Sequence, residues 1–251
     1  MKIYSTINST KMSTMLRDSF NSYEELKAKV TEALDVICQG LIERNLVIGK
    51  VDTDGRVNSK LNEGFVLSCI KEICDEEEID FEFTADRDFC DFKIYGAPVN
   101  LKMSGLNTGD NVASSEALLY TIIGERTNGR WGGRIKALKE YVNHENLFWE
   151  QIEPKDYYFL VVNKNDTTDI FWTSMRSLAV LRPNGNNLPF QCEWGKNREM
   201  VERTIDESNK FLWSAYMDSL KKRYEDSKNM LSEGLEIQAY LEEQEDRYDK
   251  F

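Results

Sequence analysis

The sequence predicts a mixed α/β fold, and three observations support that prediction. Predicted elements follow one another in the order helix, helix, three strands, helix, strand, with more helix at the end. Residues 157–162 form an apolar run between Asp156 and Asn163, which is typical of a strand buried inside a sheet. Two alternating segments meet at Gly96 and predict an antiparallel hairpin. We therefore expect one domain over residues 1–251, with a central mixed sheet flanked by helices.

Two predicted helices open the chain. Ser22 followed by Glu25 forms a capping box, and apolar residues then recur at helical spacing as far as Leu41. This pattern predicts a helix that ends near Asn45. A polar turn at residues 52–55 leads into a second predicted helix over residues 59–74.

The predicted strands occupy the middle of the chain. Alternation predicts a strand within residues 77–84, followed by two strands on either side of a Gly96-Ala97-Pro98 turn. Asp110 and Asn111 are expected to cap the next helix, which runs to about residue 122. After the buried strand, a turn at residues 165–166 predicts a hairpin strand around residues 170–172.

The C-terminal part is predicted to be helical. An apolar stripe over residues 197–231 predicts one or two helices. Residues 232–251 form an acidic tail, which we expect to be either a short helix or a frayed end.

The charge balance bears on possible partners. The chain has a net charge of −12, which argues against general affinity for nucleic acid, since that affinity depends on Lys and Arg neutralising phosphates. Between residues 93 and 139, however, the balance is basic. A locally basic cleft on an acidic body can bind DNA while limiting non-specific binding.

Composition also predicts the compartment. No apolar run approaches the ~20 residues needed to span a bilayer, and the first residues lack an apolar signal segment, so we expect an intracellular protein without a membrane partner. The five cysteines are odd in number and scattered, which predicts buried free thiols rather than disulfides or a zinc site.

The hairpin around Gly96 contains groups suited to a metal ion and a phosphate. Asn100 and Lys102 share one face of the second strand, because strand side chains repeat every second residue. Folding of the hairpin is expected to bring Asp91 beside both. A carboxylate, an amide oxygen and an ammonium group are the parts of a Mg²⁺-dependent site that cleaves phosphodiester bonds, since Mg²⁺ prefers oxygen ligands and the substrate phosphate supplies some of them.

This hairpin resembles the PD-(D/E)xK nuclease superfamily, and within it the type II restriction endonucleases. Their motif is an aspartate, a turn, and then an acidic residue, any residue and a lysine at the end of a strand. Cys90 stands where the motif has proline, and Asn100 stands where it has the acidic residue. Some restriction enzymes have Asn-x-Lys at the same place.

The resemblance implies a PD-(D/E)xK core and a prokaryotic, cytoplasmic restriction–modification enzyme that cuts double-stranded DNA at a short sequence with Mg²⁺. Asp91 would hold the metal with Asn100, the Leu101 carbonyl and Glu63 of the second helix, and Lys102 would orient the attacking water. Two strands must be cut and most such sequences are palindromic, so a homodimer is expected. The first helix and the helices of residues 197–231 are its expected interface.

Polar residues outside the motif are candidates for DNA contacts. Asn and Gln can pair with adenine and Arg with guanine in the major groove, so we expect base contacts from the loop at residues 182–191 and from residues 107–111. The helix predicted to follow residues 107–111 offers free N–H groups at its N-terminus to a phosphate. The predicted DNA-binding residues are Lys93, Ser104, Asn107, Asp110, Asn111, Arg130, Arg134, Arg182, Asn186, Asn187 and Gln191.

Two other functions stay open. An acidic, non-catalytic protein, such as a DNA mimic that occupies a nucleic-acid-binding partner, would explain the net charge of −12 and the carboxylate-rich stretches at residues 75–91 and after Ser232. It would leave the Asn-x-Lys hairpin unexplained. A PD-(D/E)xK nuclease for repair or recombination would have the same site but no sequence-specific cutting.

Overall fold

The structure is a computed structural model that describes residue 20 and residues 22–49, 55–85, 88–126, 136, 154–185 and 188–248, with the backbone alone at 55–60 and 241–248. It is a mixed α/β protein. The helices are α1 (Tyr23–Glu43), α2 (Gly55–Glu76), α3 (Ser115–Ile123) and α4 (Ile205–Tyr248). The strands are β1 (Phe81–Phe83), β2 (Phe92–Ile94), β3 (Ala97–Ser104), β4 (Asp110–Asn111), β5 (Tyr158–Asn163), β6 (Ile170–Ser174), β7 (Arg182–Pro183) and β8 (Phe190–Cys192). Short 3₁₀ helices lie at Met175–Ser177 and Trp194–Asn197.

The larger sheet has five strands in the order β1-β2-β3-β5-β6. Its pairs are antiparallel except β3 with β5, which are parallel. A parallel pair needs a crossover connection, and α3 lies in that connection. A second sheet of three short strands has the order β4-β8-β7. The predicted mixed sheet flanked by helices is therefore confirmed.

Side-chain alternation divides the larger sheet between two cores. On one face, Phe92, Val99 and Leu160 pack with apolar residues of α1 and α2. On the other face, Phe159 and Val161 pack with apolar residues of α3, α4 and the small sheet. Strand β5 is buried over nearly its whole length, as the apolar run predicted, because it lies between two strands and between two layers of helix.

Several local predictions are confirmed. Ser22 is the N-cap of α1, and its hydroxyl accepts a hydrogen bond from the Glu25 N–H at 3.2 Å. Strands β5 and β6 form the predicted antiparallel hairpin. All five cysteines are buried and free. Within the described residues, no helix is both long and apolar enough to cross a membrane.

The turn between β2 and β3 is shorter than predicted. Ile94 pairs with Ala97, so Tyr95 and Gly96 alone make the turn, and both have positive φ angles of 48° and 79°. Two central residues with positive φ are the signature of a two-residue type I′ hairpin, whose twist matches that of the strands. Ala97 and Pro98 therefore belong to β3, not to the turn.

Two other predictions of local structure were wrong. Asp110 and Asn111 form β4 rather than a helix cap, and Ser114 caps α3 instead, with its hydroxyl 3.3 Å from the Ala117 N–H. The stretch after residue 184 is not wholly a loop, because Phe190 and Cys192 are buried and form β8. In both places, pairing between β4 and β8 outweighs the local preference of Asn and Asp for caps and turns.

The remaining differences concern boundaries. The first strand covers only Phe81–Phe83, and α2 begins at Gly55. The acidic tail continues α4 without a break as far as Tyr248.

Candidate active site on the β2–β3 hairpin

Asp91 is held against strand β3 by two hydrogen bonds. Its N–H donates to the Val99 carbonyl at 3.0 Å, and its Oδ2 accepts from the Leu101 N–H at 2.7 Å. These bonds fix a carboxylate at the entrance to β2, across from the segment that contains Asn100. Within the described residues, the Oδ1 atom accepts no hydrogen bond.

Asn100 and Lys102 point to the same side of the sheet. Asn100 pairs with Phe159 and Lys102 with Val161, and those two residues belong to the core beneath α3 and α4. Both polar side chains line a cleft of about 290 Å³. The opposite wall of this cleft is the approach to α3, including Asn111 and the helix cap Ser114. Free N–H groups at a helix N-terminus favour an anion.

The amide oxygen of Asn100 lacks a hydrogen-bond partner among the described residues. Its Oδ1 is buried and accepts no hydrogen bond within the described part of the chain. The amide lies beside the hydroxyl of Tyr157. Burial raises the pKa of that hydroxyl well above its usual value, and the contact with the Asn100 amide acts in the opposite direction. The Tyr157 hydroxyl donates to the Phe89 carbonyl. A buried, unpaired oxygen is costly unless a ligand uses it, so this atom is a candidate ligand atom.

The pKa values of Lys102 and Asp91 are shifted in opposite directions. Lys102 is partly buried, and loss of solvent lowers the pKa of its ammonium group, against the attraction of Asp91 and, more weakly, of Asp110 and Glu63. Burial raises the pKa of Asp91, against the Leu101 N–H and Lys102. Both environments therefore disfavour the charged form. Charged groups kept in such surroundings are more frequent at functional sites than elsewhere.

Two carboxylates that sequence analysis did not identify line the cleft. Asp88 and Glu116 both form ion pairs with Arg126, at 2.7 and 2.8 Å. The Arg126 guanidinium lies over the Phe89 ring, 4.3 Å from its centre. Arg126 thus offsets part of the negative charge at this edge of the cleft. No pattern in the sequence marks the trio, since its members come from three different segments.

The other predicted catalytic and metal-binding residues lie close by. Glu63 is on α2, near enough to influence the Lys102 ammonium. The side chain of Leu101 is buried in the opposite core, and its backbone N–H is the group that holds Asp91. The hairpin therefore brings Asp91, Asn100 and Lys102 together, with Glu63 at the margin.

The predicted DNA-binding residues are distributed more widely. Lys93 forms an ion pair with Glu82 at 2.9 Å and lines a different cleft. Ser104 is buried, and its hydroxyl accepts from the Leu106 N–H at 3.0 Å. Asn107 is exposed in the turn after β3. Arg130, Arg134, Asn186 and Asn187 lie outside the described residues.

Four of the predicted residues meet on the small sheet. Asp110 pairs with Cys192 and contributes to the field at Lys102. Asn111 pairs with Gln191, which in turn pairs with Arg182. Two segments that were predicted separately as DNA-reading elements therefore form one surface next to the cleft.

The donor set fits a magnesium ion that is held mainly by substrate and water. Among the described residues, no group of three or more His, Cys, Asp or Glu side chains is arranged to hold a metal. Asp91 and the unpaired Asn100 oxygen supply two oxygen donors. Mg²⁺ commonly has only one or two protein ligands and keeps several waters, so these two donors suffice beside a phosphate.

Comparisons with known proteins assign the chain to no family, so the class of the protein is defined by its fold and its site. No protein-family model matches the chain, and no curated protein is significantly similar to it. The fold and the site define a mixed α/β protein with a polar cleft at the β2–β3 hairpin.

Proposed function

We propose that the protein is a type II restriction endonuclease, which hydrolyses double-stranded DNA at a short recognition sequence with Mg²⁺. The observation that supports this most is the convergence of Asp91, Asn100 and Lys102 at one hairpin beside a cleft. The order of the elements agrees with a PD-(D/E)xK core, since antiparallel strands come first and a crossover helix follows.

Each residue of the hairpin has a role that follows from its position. The Oδ1 of Asp91 and the Oδ1 of Asn100 would hold the metal, and Glu63, whose charge acts on Lys102, would contribute through water. The bound Mg²⁺ supplies charge that stabilises the phosphate as it is attacked. Lys102 orients the attacking water and stabilises negative charge on the phosphate, and its partly desolvated ammonium does so more strongly than an exposed one.

The wall of the cleft supports phosphate binding. The N-terminus of α3 faces the same space as Lys102, so a phosphate there would meet both free N–H groups and a cation. The ion pairs of Arg126 with Asp88 and Glu116 reduce the repulsion that those two carboxylates would exert on DNA.

The proposal includes a second copy of the chain as partner. From Tyr224 to Tyr240 every residue of α4 is exposed, including Leu231 and Leu235. Tyr224, Leu231 and Leu235 are seven and four residues apart and so share one face of the helix. The sequence is basic at residues 221–223 and acidic at residues 242–246. An antiparallel pair of these helices would bury the apolar face and place opposite charges side by side.

Digestion of a long, sequenced DNA with purified protein and Mg²⁺ tests the proposal. A restriction endonuclease gives discrete fragments that end at one short sequence. A smear of fragments would indicate a nuclease without sequence specificity. DNA that stays intact across a range of salt and divalent ions would contradict the proposal and favour the acidic, non-catalytic alternative.

A further inference from the structure

A line of polar side chains crosses the small sheet beside the cleft. In the order β4-β8-β7, Asn111 pairs with Gln191 and Gln191 pairs with Arg182. Residues that pair directly on antiparallel strands point to the same face, so the three side chains lie in one row. Phe190 and Cys192, which alternate with this row, are buried in the core. The Asn111 row therefore faces away from the core.

Contacts orient the side chains of this row but leave hydrogen-bonding groups available for a ligand. The amides of Asn184 and Gln191 donate to Asn111 Oδ1 at 3.4 and 3.5 Å, which are long bonds. The Arg182 guanidinium pairs with Glu193, which lies two residues after Gln191 and just beyond the end of β8. Asn111 and Arg182 are exposed and Gln191 is half-buried. Asn111 and Gln191 can exchange their long mutual contact for stronger ones with a ligand, and the Arg182 guanidinium has further N–H groups besides the one that pairs with Glu193.

We propose that Asn111, Gln191 and Arg182, the recognition row, read three consecutive base pairs in the major groove of DNA. This inference rests on the proposed endonuclease function and adds a substrate preference to it. Carboxamides pair bidentately with adenine, and a guanidinium pairs bidentately with guanine. The row therefore selects two A·T pairs followed by a G·C pair.

The position of the cleft sets the order in which the bases are read. Asn111 lines the cleft together with Lys102 and Asn100, and Gln191 and Arg182 do not. Neighbouring strands lie about 4.8 Å apart, so the row extends about 10 Å away from the cleft. The first and third of three base pairs stacked at about 3.4 Å are about 7 Å apart, a shorter span that the long Gln191 and Arg182 side chains can meet by leaning toward the cleft. Asn111 thus reads the adenine nearest the scissile phosphate, Gln191 the next adenine and Arg182 the guanine beyond.

Cleavage of a randomised DNA library by each alanine variant tests the order. The wild type is first used to define the recognition sequence by sequencing the cut ends. Asn111→Ala, Gln191→Ala and Arg182→Ala should each relax the requirement at one position, successively farther from the cut. Discrimination at that position should fall roughly 5- to 150-fold. Gln39→Ala removes an amide from α1 on the opposite side of the sheet and serves as the control.

The outcomes separate this inference from the function on which it rests. Specific cleavage by the wild type, with relaxation at three adjacent positions in the stated order, supports the recognition row. Specific cleavage by the wild type and unchanged specificity in all three folded variants overturns the row and leaves the endonuclease proposal standing. Relaxation in another order overturns the assigned geometry. Absence of specific cleavage by the wild type overturns both.

Discussion

At the residue scale, burial of the Lys102 ammonium group lowers the stability of the fold. Its lowered pKa means that the folded environment disfavours the ammonium group, even with Asp91 nearby. When a cationic group has a lower pKa in the folded state than in the unfolded state, the protein is most stable above the pKa of the unfolded state. Stability then falls as the pH drops through the pKa of the folded state. At neutral pH the group is therefore a cost, which a catalytic role would justify.

We expect Lys102→Met to stabilise the protein by about 0.5–2 kcal/mol at pH 7, because it removes a partly buried charge and keeps the apolar stem. Urea unfolding measures the change in the free energy of unfolding. Lys29→Met, on an exposed lysine of α1, is the control and should change stability by less than about 0.5 kcal/mol. A loss of stability in Lys102→Met would show that the ammonium group is well accommodated.

The cysteines give a second prediction at this scale. Burial raises the pKa of Cys38, Cys74 and Cys192 from 9.0 to about 12. Only the thiolate reacts, so at pH 8 roughly one thiol in ten thousand is reactive at each of these sites. A disulfide reagent should label them slowly in the folded protein and rapidly in urea. Stability should also fall as the pH rises above 9, toward the folded pKa. Rapid labelling of these three in the folded state would contradict their burial.

At the scale of elements, the cap of α3 links stability to the cleft. Ser114→Ala removes the bond to the Ala117 N–H and should cost about 1 kcal/mol of stability. Because this end of α3 forms a wall of the cleft, DNA cleavage should also slow. Ser22→Ala removes the matching bond at α1 and is the control, since Ser22 does not line this cleft. Unequal stability losses, or equal cleavage rates, would count against the role given to the α3 terminus.

The sequence predicted elements well where one signal dominated. The cap at Ser22 with its helical spacing predicted α1, and the apolar run predicted β5, because burial on both faces leaves little polar sequence. Prediction failed at Asp110–Asn111 and Phe190–Cys192, whose strands exist through pairing across about eighty positions of sequence. Local propensity contains no information about such a partner.

The same distinction applies to the candidate site. Asp91, Asn100 and Lys102 were predictable because a single hairpin brings them together, and period-two spacing fixes the shared face. The trio of Asp88, Glu116 and Arg126 was not, since α3 and the β1–β2 connection meet only in the folded chain. The recognition row was predicted as two separate segments for the same reason.

At the scale of the whole molecule, the exposed half of α4 should join two copies. Sedimentation of the free protein should give twice the mass of one chain. Leu231→Glu with Leu235→Glu places charge on the apolar face and should yield single chains. Asn229→Glu places one negative charge on the opposite side of the helix and should leave the dimer intact. A wild type that sediments as one chain, free and with DNA, would contradict the dimer.

The central claim is that the β2–β3 hairpin is a nuclease site, and the cleavage rate of two hairpin variants with Mg²⁺ tests it most directly. Under the proposed function, Asp91→Ala removes the metal ligand and Lys102→Ala removes the group that orients the water, so both should abolish cutting while DNA binding persists. The exposed ion-paired residues Asp75 and Lys29 give matched controls, and Asp75→Ala and Lys29→Ala should cut at the wild-type rate. Wild-type cleavage by both Asp91→Ala and Lys102→Ala would show that the hairpin is not the active site.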